Sequence, residues 1–133
     1  MRVLLDTNIL ISAALFPNGV ASKAYFKAIE KPYTAVVCEW SIDELHRVFN
    51  RKFPKRLSTL DTFLAAAATS FRIIETPDEE VADEEKIRDV KDRPLLRAAQ
   101  IENIDILLTG DLDFLESRVE RPIILNPAQF LEM

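Results

Sequence analysis

The sequence contains few of the residues that form disulfide bonds or zinc sites. Its 133 residues include one cysteine, Cys38, and one histidine, His46. A single cysteine cannot form an intramolecular disulfide, and Cys38 lies in an apolar run that favours a small buried side chain. Zinc sites combine several cysteine and histidine ligands, so this composition also argues against zinc. We therefore expect a cytoplasmic protein with neither a disulfide framework nor a zinc centre.

Glycine is also scarce, and no apolar segment is long enough to cross a membrane. Two glycines do not suit a turn-rich all-β protein. The longest run without a charged residue, 7–22, contains Pro17 and Gly19 and is too short and too polar to span a bilayer. The amino-terminal apolar stretch carries Asp6 and Asn8, which a signal peptide would not. We expect no membrane segment.

Five short apolar runs predict strands, and helical patterns lie between them. The runs cover residues 2–5, 34–38, 71–74, 104–108 and 122–125. Near-continuous apolar runs are typical of strands that are buried on both faces. Helices are predicted over residues 20–30, 42–50, 59–69, 79–89 and 93–102. This alternation predicts a single α/β domain over residues 1–133, with three α/β/α layers and a central, mostly parallel sheet of about five strands.

The charges are unevenly distributed. The net charge is −5, which argues against a nucleic-acid partner because phosphate affinity comes mainly from lysine and arginine. However, seven of the 22 acidic residues lie within residues 75–85. Residues 46–56, at the end of one predicted helix and beyond it, contain no acid and form a candidate nucleic-acid-binding surface; its members are Arg47, Arg51, Lys52, Lys55 and Arg56. The alternative is a solvated helix end, where cations are favourable in any protein.

Acidic residues follow the first and the fourth predicted strand. Asp6 comes directly after strand 2–5, and Asp111 and Asp113 follow strand 104–108. The carboxyl ends of parallel strands meet at one edge of a sheet, where ligands bind. Each acid has a second interpretation as the cap of a following helix. Two acids after the fourth strand nevertheless exceed what capping requires.

Two further acids are predicted at the same edge of the sheet. Glu44 stands three residues after Ser41, so the two residues also fit a capping box. Asp92 precedes Arg93 and Pro94, where an aspartate cap is expected, and the nearby Asp89 is an alternative ligand. At an effective dielectric constant near 20, two carboxylates 4 Å apart repel by roughly 4 kcal/mol. Such a group of acids therefore predicts a compensating cation, and Mg²⁺ or Mn²⁺ suits oxygen ligands.

The four acidic segments resemble the motifs of the PIN-domain nucleases, over residues 1 to about 130. The segments are residues 4–8, 41–45, 92–96 and 108–113. The resemblance implies a PIN-like nuclease domain. It also implies catalytic and metal-binding roles for the matching acids and supporting roles for two polar residues. The acids are Asp6, Glu44, Asp92 and Asp111, with Asp113 as an additional metal ligand, and the supporting residues are Asn8 and Thr109.

The activity that the resemblance implies is hydrolysis of phosphodiester bonds, mostly in RNA, with Mg²⁺ or Mn²⁺. Small stand-alone members similar to this chain are commonly VapC-like toxins, so we expect an antitoxin partner, and a homodimer is the usual assembly for such a chain. Two alternatives remain open from the residues alone. One is a Mg²⁺-binding phosphoacceptor domain of the receiver type, although the chain lacks a lysine after the last strand. The other is a non-catalytic binding protein with a PIN fold. The acidic stretch 75–85 matches no motif of the family.

Overall fold

Five apolar segments form one sheet in which every strand is parallel to its neighbours. The computed structural model describes residues 1–133. The strands are β1 (Arg2–Leu5), β2 (Thr34–Cys38), β3 (Arg72–Ile74), β4 (Ile106–Leu108) and β5 (Ile123–Leu125). The helices are α1 (Thr7–Leu15), α2 (Val20–Ala28), α3 (Glu39–Lys52), α4 (Leu57–Ala67), α5 (Arg93–Ile101), α6 (Leu112–Leu115) and α7 (Pro127–Leu131). None of the helices combines the length and the hydrophobicity that a bilayer crossing requires.

Alternate residues of each strand face two separate cores. In β1, Val3 and Leu5 pack against one set of helices, while Leu4 packs on the opposite face of the sheet. The first core includes buried residues of α1, α2, α3, α4 and α7, and the second includes those of α5 and α6. The sheet is thus the middle of three layers, and the predicted α/β/α fold class is confirmed.

The strand order, β3-β2-β1-β4-β5, determines where a ligand can bind. The chain moves outward from β1 through β2 to β3, and then returns to place β4 on the other side of β1. The direction of winding therefore reverses between β1 and β4, and the crevice at such a reversal is the usual binding site of an open parallel sheet. The order differs from the 2-1-3-4-5 order of receiver-type domains. This difference contradicts the receiver-like alternative.

The helix predicted over residues 79–89 is wrong. The segment contains no α-helix and is irregular except for a 3₁₀ turn at Ala82–Lys86. The carboxylate of Glu84 folds back to accept a hydrogen bond of 2.7 Å from the backbone N–H of Val81, and it also pairs with Arg97 of α5 at 2.7 Å. Glu84 and Arg97 side chains are only 8% and 16% exposed. Part of the acidic stretch is therefore packed onto α5 instead of forming a solvated helix.

Ser41 and Glu44 do not form the capping box that was the alternative interpretation of Glu44. Helix α3 begins at Glu39, so Ser41 lies inside its first turn, fully buried, and its hydroxyl has no hydrogen-bond partner. The start moves because Cys38 ends β2 with extended backbone and the helix follows at once. Glu44 consequently lies in the second turn of α3 and has no capping function.

Candidate metal centre and cleft

Asp6 is held at the carboxyl end of β1 by three hydrogen bonds. Its Oδ1 accepts from the backbone N–H of Thr7 at 2.7 Å, which makes Asp6 the N-cap of α1. Its Oδ2 accepts from the Thr109 hydroxyl at 2.7 Å and from the Asn8 amide at 3.0 Å. The residue is only 5% exposed. Asp6 is therefore both a helix cap and a candidate site residue, because its carboxylate lies where the direction of winding reverses between β1 and β4.

Asn8 and Thr109 connect the ends of β1 and β4. Asn8 accepts a hydrogen bond of 3.0 Å from the backbone N–H of Gly110 through its Oδ1 atom. The Thr109 hydroxyl accepts one of 3.0 Å from the backbone N–H of Asp111. Both side chains thus bind Asp6 on one side and the loop after β4 on the other. This arrangement is consistent with the supporting roles implied by the resemblance.

Asp111 and Asp113 lie at the start of α6. Asp111 is the N-cap of this short helix and accepts a hydrogen bond of 2.9 Å from the backbone N–H of Asp113. Asp113 forms an ion pair of 2.6 Å with Arg88, which lies 25 residues earlier in the chain. Asp113 is therefore already paired with a cation, whereas Asp111 forms no ion pair.

The turn before α5 brings two more carboxylates to the site. Carboxylate oxygens of Asp89, Asp92 and Asp113 all lie within 4.8 Å of one another. Asp89 caps the 3₁₀ turn Val90–Asp92 by accepting a hydrogen bond of 3.0 Å from the backbone N–H of Lys91. The side chain of Asp92 makes no capping hydrogen bond to α5. Helix capping therefore does not explain Asp92, and its carboxylate can interact with the other acids of the site.

The pKa values of the acids show that they share one electrostatic environment. Burial raises the pKa of Asp6 to about 6, against the hydrogen bonds from Thr109 and Thr7, and nearby Glu44 and Asp111 raise it further. Burial, followed by the charges of Asp111 and Asp6, raises the pKa of Asp92 to about 7. Acids that are distant in sequence therefore interact within one site.

The pKa of Glu44 is also raised by burial, while the hydroxyl of Thr7 and the guanidinium groups of Arg47 and Arg51 act in the opposite direction. The buried Thr7 hydroxyl lies beside the Glu44 carboxylate and favours its ionised form. The acids of the site thus combine burial with mutual repulsion, and both are relieved by a positive charge. A set of carboxylate oxygens of this kind fits a hard divalent cation.

Glu44, Asp89, Asp92 and Asp111 line a cleft of about 740 Å³ that also has basic walls, whereas Asp6 and Asp113 do not line it. Arg47, Arg51 and Lys52 of the predicted basic patch line the cleft, whereas Lys55 and Arg56 lie on the exposed 3₁₀ turn Pro54–Arg56 outside it. The complete lining is Trp40, Glu44, Arg47, Val48, Arg51, Lys52, Asp89, Lys91, Asp92, Pro94 and Asp111.

Sequence reasoning missed several residues of this site. Trp40 and Lys91 line the cleft, and Arg88 pairs with Asp113. Trp40 is the second residue after β2, at the same edge of the sheet as Asp6, so its position carried a usable signal. Arg88 carried none, because its partner is distant in sequence.

The comparisons with known proteins agree with this architecture. Residues 2–113 match the model of the PIN domain family. The structure is similar to VapBC2 from Rickettsia felis bound to a DNA fragment from its promoter, with 20% identity and a TM-score of 0.70 over 95% of this chain and 98% of that chain. It is also similar to the Mycobacterium tuberculosis toxin VapC20, which cleaves the sarcin-ricin loop, with 16% identity and a TM-score of 0.60 over 86% and 93% of the two chains.

A third similar structure is PAE2754 from Pyrobaculum aerophilum, with 17% identity and a TM-score of 0.66 over 100% of this chain and 91% of that chain. None of the curated proteins is a significant sequence match. At these identities, the structural likeness shows the fold alone. The family match covers most of the chain, and the strand order and the acidic edge of the sheet agree with it. The chain therefore belongs to the PIN domain family.

Proposed function

We propose that the protein is a divalent-metal-dependent nuclease that hydrolyses phosphodiester bonds in RNA. One observation carries the proposal: carboxylates from three distant segments line a cleft that also presents cationic side chains, and a fourth, that of Asp6, lies close enough to raise the pKa of Asp92. Asp92 and Asp111 line this cleft together with Glu44, and the charge of Asp6 is felt by Asp92. Arg47 and Arg51 lie on the α3 wall. Acids suit a metal and cations suit a phosphate backbone, so the cleft fits a metal-assisted reaction on a polyanion.

Asp6, Glu44, Asp92 and Asp111 are the residues that would hold the cation. A bound divalent cation supplies Lewis-acid chemistry, which lowers the pKa of water and offsets charge on phosphoryl oxygens. Asn8 and Thr109 fix the orientation of the Asp6 carboxylate through the hydrogen bonds to its Oδ2 atom. We propose Mg²⁺ or Mn²⁺ as the cation, because both prefer oxygen ligands such as these carboxylates.

The cationic wall would position the substrate. Arg47, Arg51 and Lys52 project from successive turns of α3 into the cleft that contains Glu44. Contacts from such side chains to phosphate oxygens carry no base specificity, but they fix the register of the strand. Trp40 offers an aromatic surface in the same cleft, and unpaired bases stack on aromatic side chains. We therefore propose unpaired RNA as the substrate.

The biological role that we propose is that of a toxin in a toxin-antitoxin pair. Support comes from the fold, which is similar to the toxins of VapBC2 and VapC20. An antitoxin protein is then the expected partner, and a homodimer the expected assembly. Because the proposed substrate is RNA, we place the activity in the cytoplasm.

Cleavage of a labelled, unstructured RNA by the metal-free protein with and without added Mg²⁺ or Mn²⁺ tests the proposal. We expect cleavage only with metal, and a loss of about 100-fold for Glu44→Gln, since even residues that merely support a metal ligand cost 10- to 100-fold. Asp43→Asn is the matched control, because Asp43 is the exposed neighbour on the same helix. Cleavage that persists in excess chelator would contradict the proposal, and binding of RNA without cleavage would favour a non-catalytic protein.

A further inference from the structure

Arg88 supplies a built-in cation to one part of the acidic site. Its Nε and Nη2 atoms donate hydrogen bonds of 3.0 and 2.6 Å to the same oxygen, Oδ1 of Asp113. The Arg88 side chain is 74% exposed, while that of Asp113 is 25% exposed. The guanidinium group thus covers Asp113 from the solvent side. It is a permanent charge, because arginine stays protonated at any physiological pH.

The acidic site divides into two parts, of which only one contains a carboxylate paired with a cationic side chain. In the outer part, the carboxylates of Asp89, Asp92 and Asp113 lie within 4.8 Å of one another, and Asp113 is paired with Arg88. The inner part consists of Asp6, Glu44 and Asp111, whose charges act on one another, and Asp92 interacts with both parts. No lysine or arginine forms an ion pair or a hydrogen bond with an acid of the inner part. An external cation is therefore needed more in the inner part, where no side chain pairs with an acid, than in the outer part, where Arg88 already does so.

We propose that Arg88 takes the place of a second divalent cation, so that the site binds one cation tightly in the inner part. This inference rests on the proposed function, since it assumes a metal at Asp6, Glu44, Asp92 and Asp111. A cation that bound Oδ1 of Asp113 would have to displace both hydrogen bonds from Arg88, and one that bound Oδ2 would lie a few ångströms from a positive charge. Arg88 is adjacent to Asp89, so the segment that adds outer acids also supplies the charge that neutralises them.

A titration of the metal-free protein with Mn²⁺ alone, followed by calorimetry, tests this inference without any measurement of activity. We expect one tight Mn²⁺ per wild-type chain and a second that binds much more weakly. In Arg88→Gln, the second Mn²⁺ should bind about tenfold more tightly, which is the effect of removing one unit charge a few ångströms from a divalent ion in water. Arg118→Gln is the matched control, because Arg118 is exposed and forms no ion pair.

Each outcome has a distinct meaning. A second Mn²⁺ that binds Arg88→Gln and Arg118→Gln equally would overturn the role of Arg88, and so would two equal sites in the wild type. In both cases the proposed metal-dependent function would stand. If the wild type bound no Mn²⁺ at all, the proposed function itself would fail. The double variant Arg88→Gln/Asp113→Asn should lose the tightened second site, which locates that site at Asp113.

Discussion

The hydroxyl of Thr109 donates a hydrogen bond of 2.7 Å to Oδ2 of Asp6, across 103 residues of sequence. The same oxygen atom of Thr109 accepts a hydrogen bond of 3.0 Å from the backbone N–H of Asp111. One hydroxyl group therefore joins the acid at the end of β1 to the acid after β4. It also favours the ionised form of Asp6, because its hydrogen bond lowers a pKa that burial raises.

Thr109→Val keeps the shape of the side chain and removes this hydroxyl. We expect the pKa of Asp6 to rise further, so that a higher pH is needed before the carboxylate is ionised and can hold a cation. The alkaline shift should appear in the dependence of kcat/KM on pH and in the dependence of Mn²⁺ affinity on pH. Thr109→Ser, which restores the hydroxyl, should behave like the wild type. Identical profiles for Thr109→Val and the wild type would contradict this role.

The stability of the metal-free protein should increase as the pH falls from about 7 towards 5. The pKa values of Asp6 and Asp92 are raised to about 6 and about 7, so the folded state binds protons that the unfolded state releases. At neutral pH, the ionised Asp6 alone should cost on the order of 3 kcal/mol, since its pKa rises from 3.8 to about 6 and one pKa unit corresponds to about 1.4 kcal/mol. Urea unfolding in chelator at several pH values measures the effect.

The slope of stability against pH should be smaller in Asp92→Asn, because one of the two titrating groups is gone. Glu84 provides a useful contrast, because its ion pair with Arg97 lowers its pKa. Its contribution is therefore lost only at more acidic pH, as Glu84 is protonated. Stability that decreased steadily from pH 7 to pH 5 would contradict the raised pKa values.

Asp111→Asn should make the metal-free protein more stable and less responsive to metal. The carboxylate of Asp111 raises the pKa values of Asp6 and Asp92 by repulsion. Asparagine keeps the Oδ1 atom that accepts the hydrogen bond from Asp113, so the cap of α6 is retained. We expect a gain of about 1 kcal/mol without metal, given the screening in an open cleft. Thermal unfolding with chelator and with Mn²⁺ gives both quantities.

The response of the wild type to Mn²⁺ reflects binding to the folded state by mass action. The response of Asp111→Asn should be smaller, because a ligand is lost. If the variant were less stable without metal and responded to metal as the wild type does, Asp111 would be a structural cap only.

Reversal of Arg51 and Lys52 to glutamate should weaken RNA binding, because both side chains line the cleft. The logarithm of the RNA-binding constant falls linearly with the logarithm of the salt concentration, and the steepness of this salt slope should decrease by about one unit for each lost phosphate contact. Binding of a short single-stranded oligonucleotide can be followed by the fluorescence of Trp40, the only tryptophan in the chain and part of the same cleft. Metal affinity should hardly change.

Reversal of Lys55 and Arg56 is the control for this experiment. It changes the net charge of the protein by the same amount, but the two residues lie outside the cleft. Their reversal should leave the salt slope close to that of the wild type. Equal effects of the two double variants would indicate a general effect of net charge instead of specific contacts.

The sheet could be predicted because its strands are short, buried on both faces and nearly continuous in apolar residues. The same property predicted where Asp6 and Asp111 lie, since the carboxyl ends of parallel strands share one edge. The electrostatic coupling of Asp6, Glu44, Asp92 and Asp111 agrees with their predicted convergence. Their roles as metal ligands remain a prediction.

The errors arose where a distant partner overrides the local pattern. Residues 79–89 have a composition that suits a helix, but Glu84 gains more from the buried pair with Arg97 than from a helical turn exposed to water. Ser41 and Glu44 have the spacing of a capping box, but α3 starts earlier because β2 ends at Cys38. Neither the partner of Glu84 nor the end of β2 can be derived from the segment itself.

The position of β4 next to β1 also has a consequence during protein synthesis. A nascent chain that ends before residue 106 contains Asp6 and Glu44, but it lacks the strand that pairs with β1 and the loop that carries Asp111. Since chains emerge from the ribosome amino-terminus first, the acidic site cannot assemble until nearly the whole domain has been released. Prematurely terminated chains should therefore lack the proposed nuclease activity, which would belong to completed molecules alone.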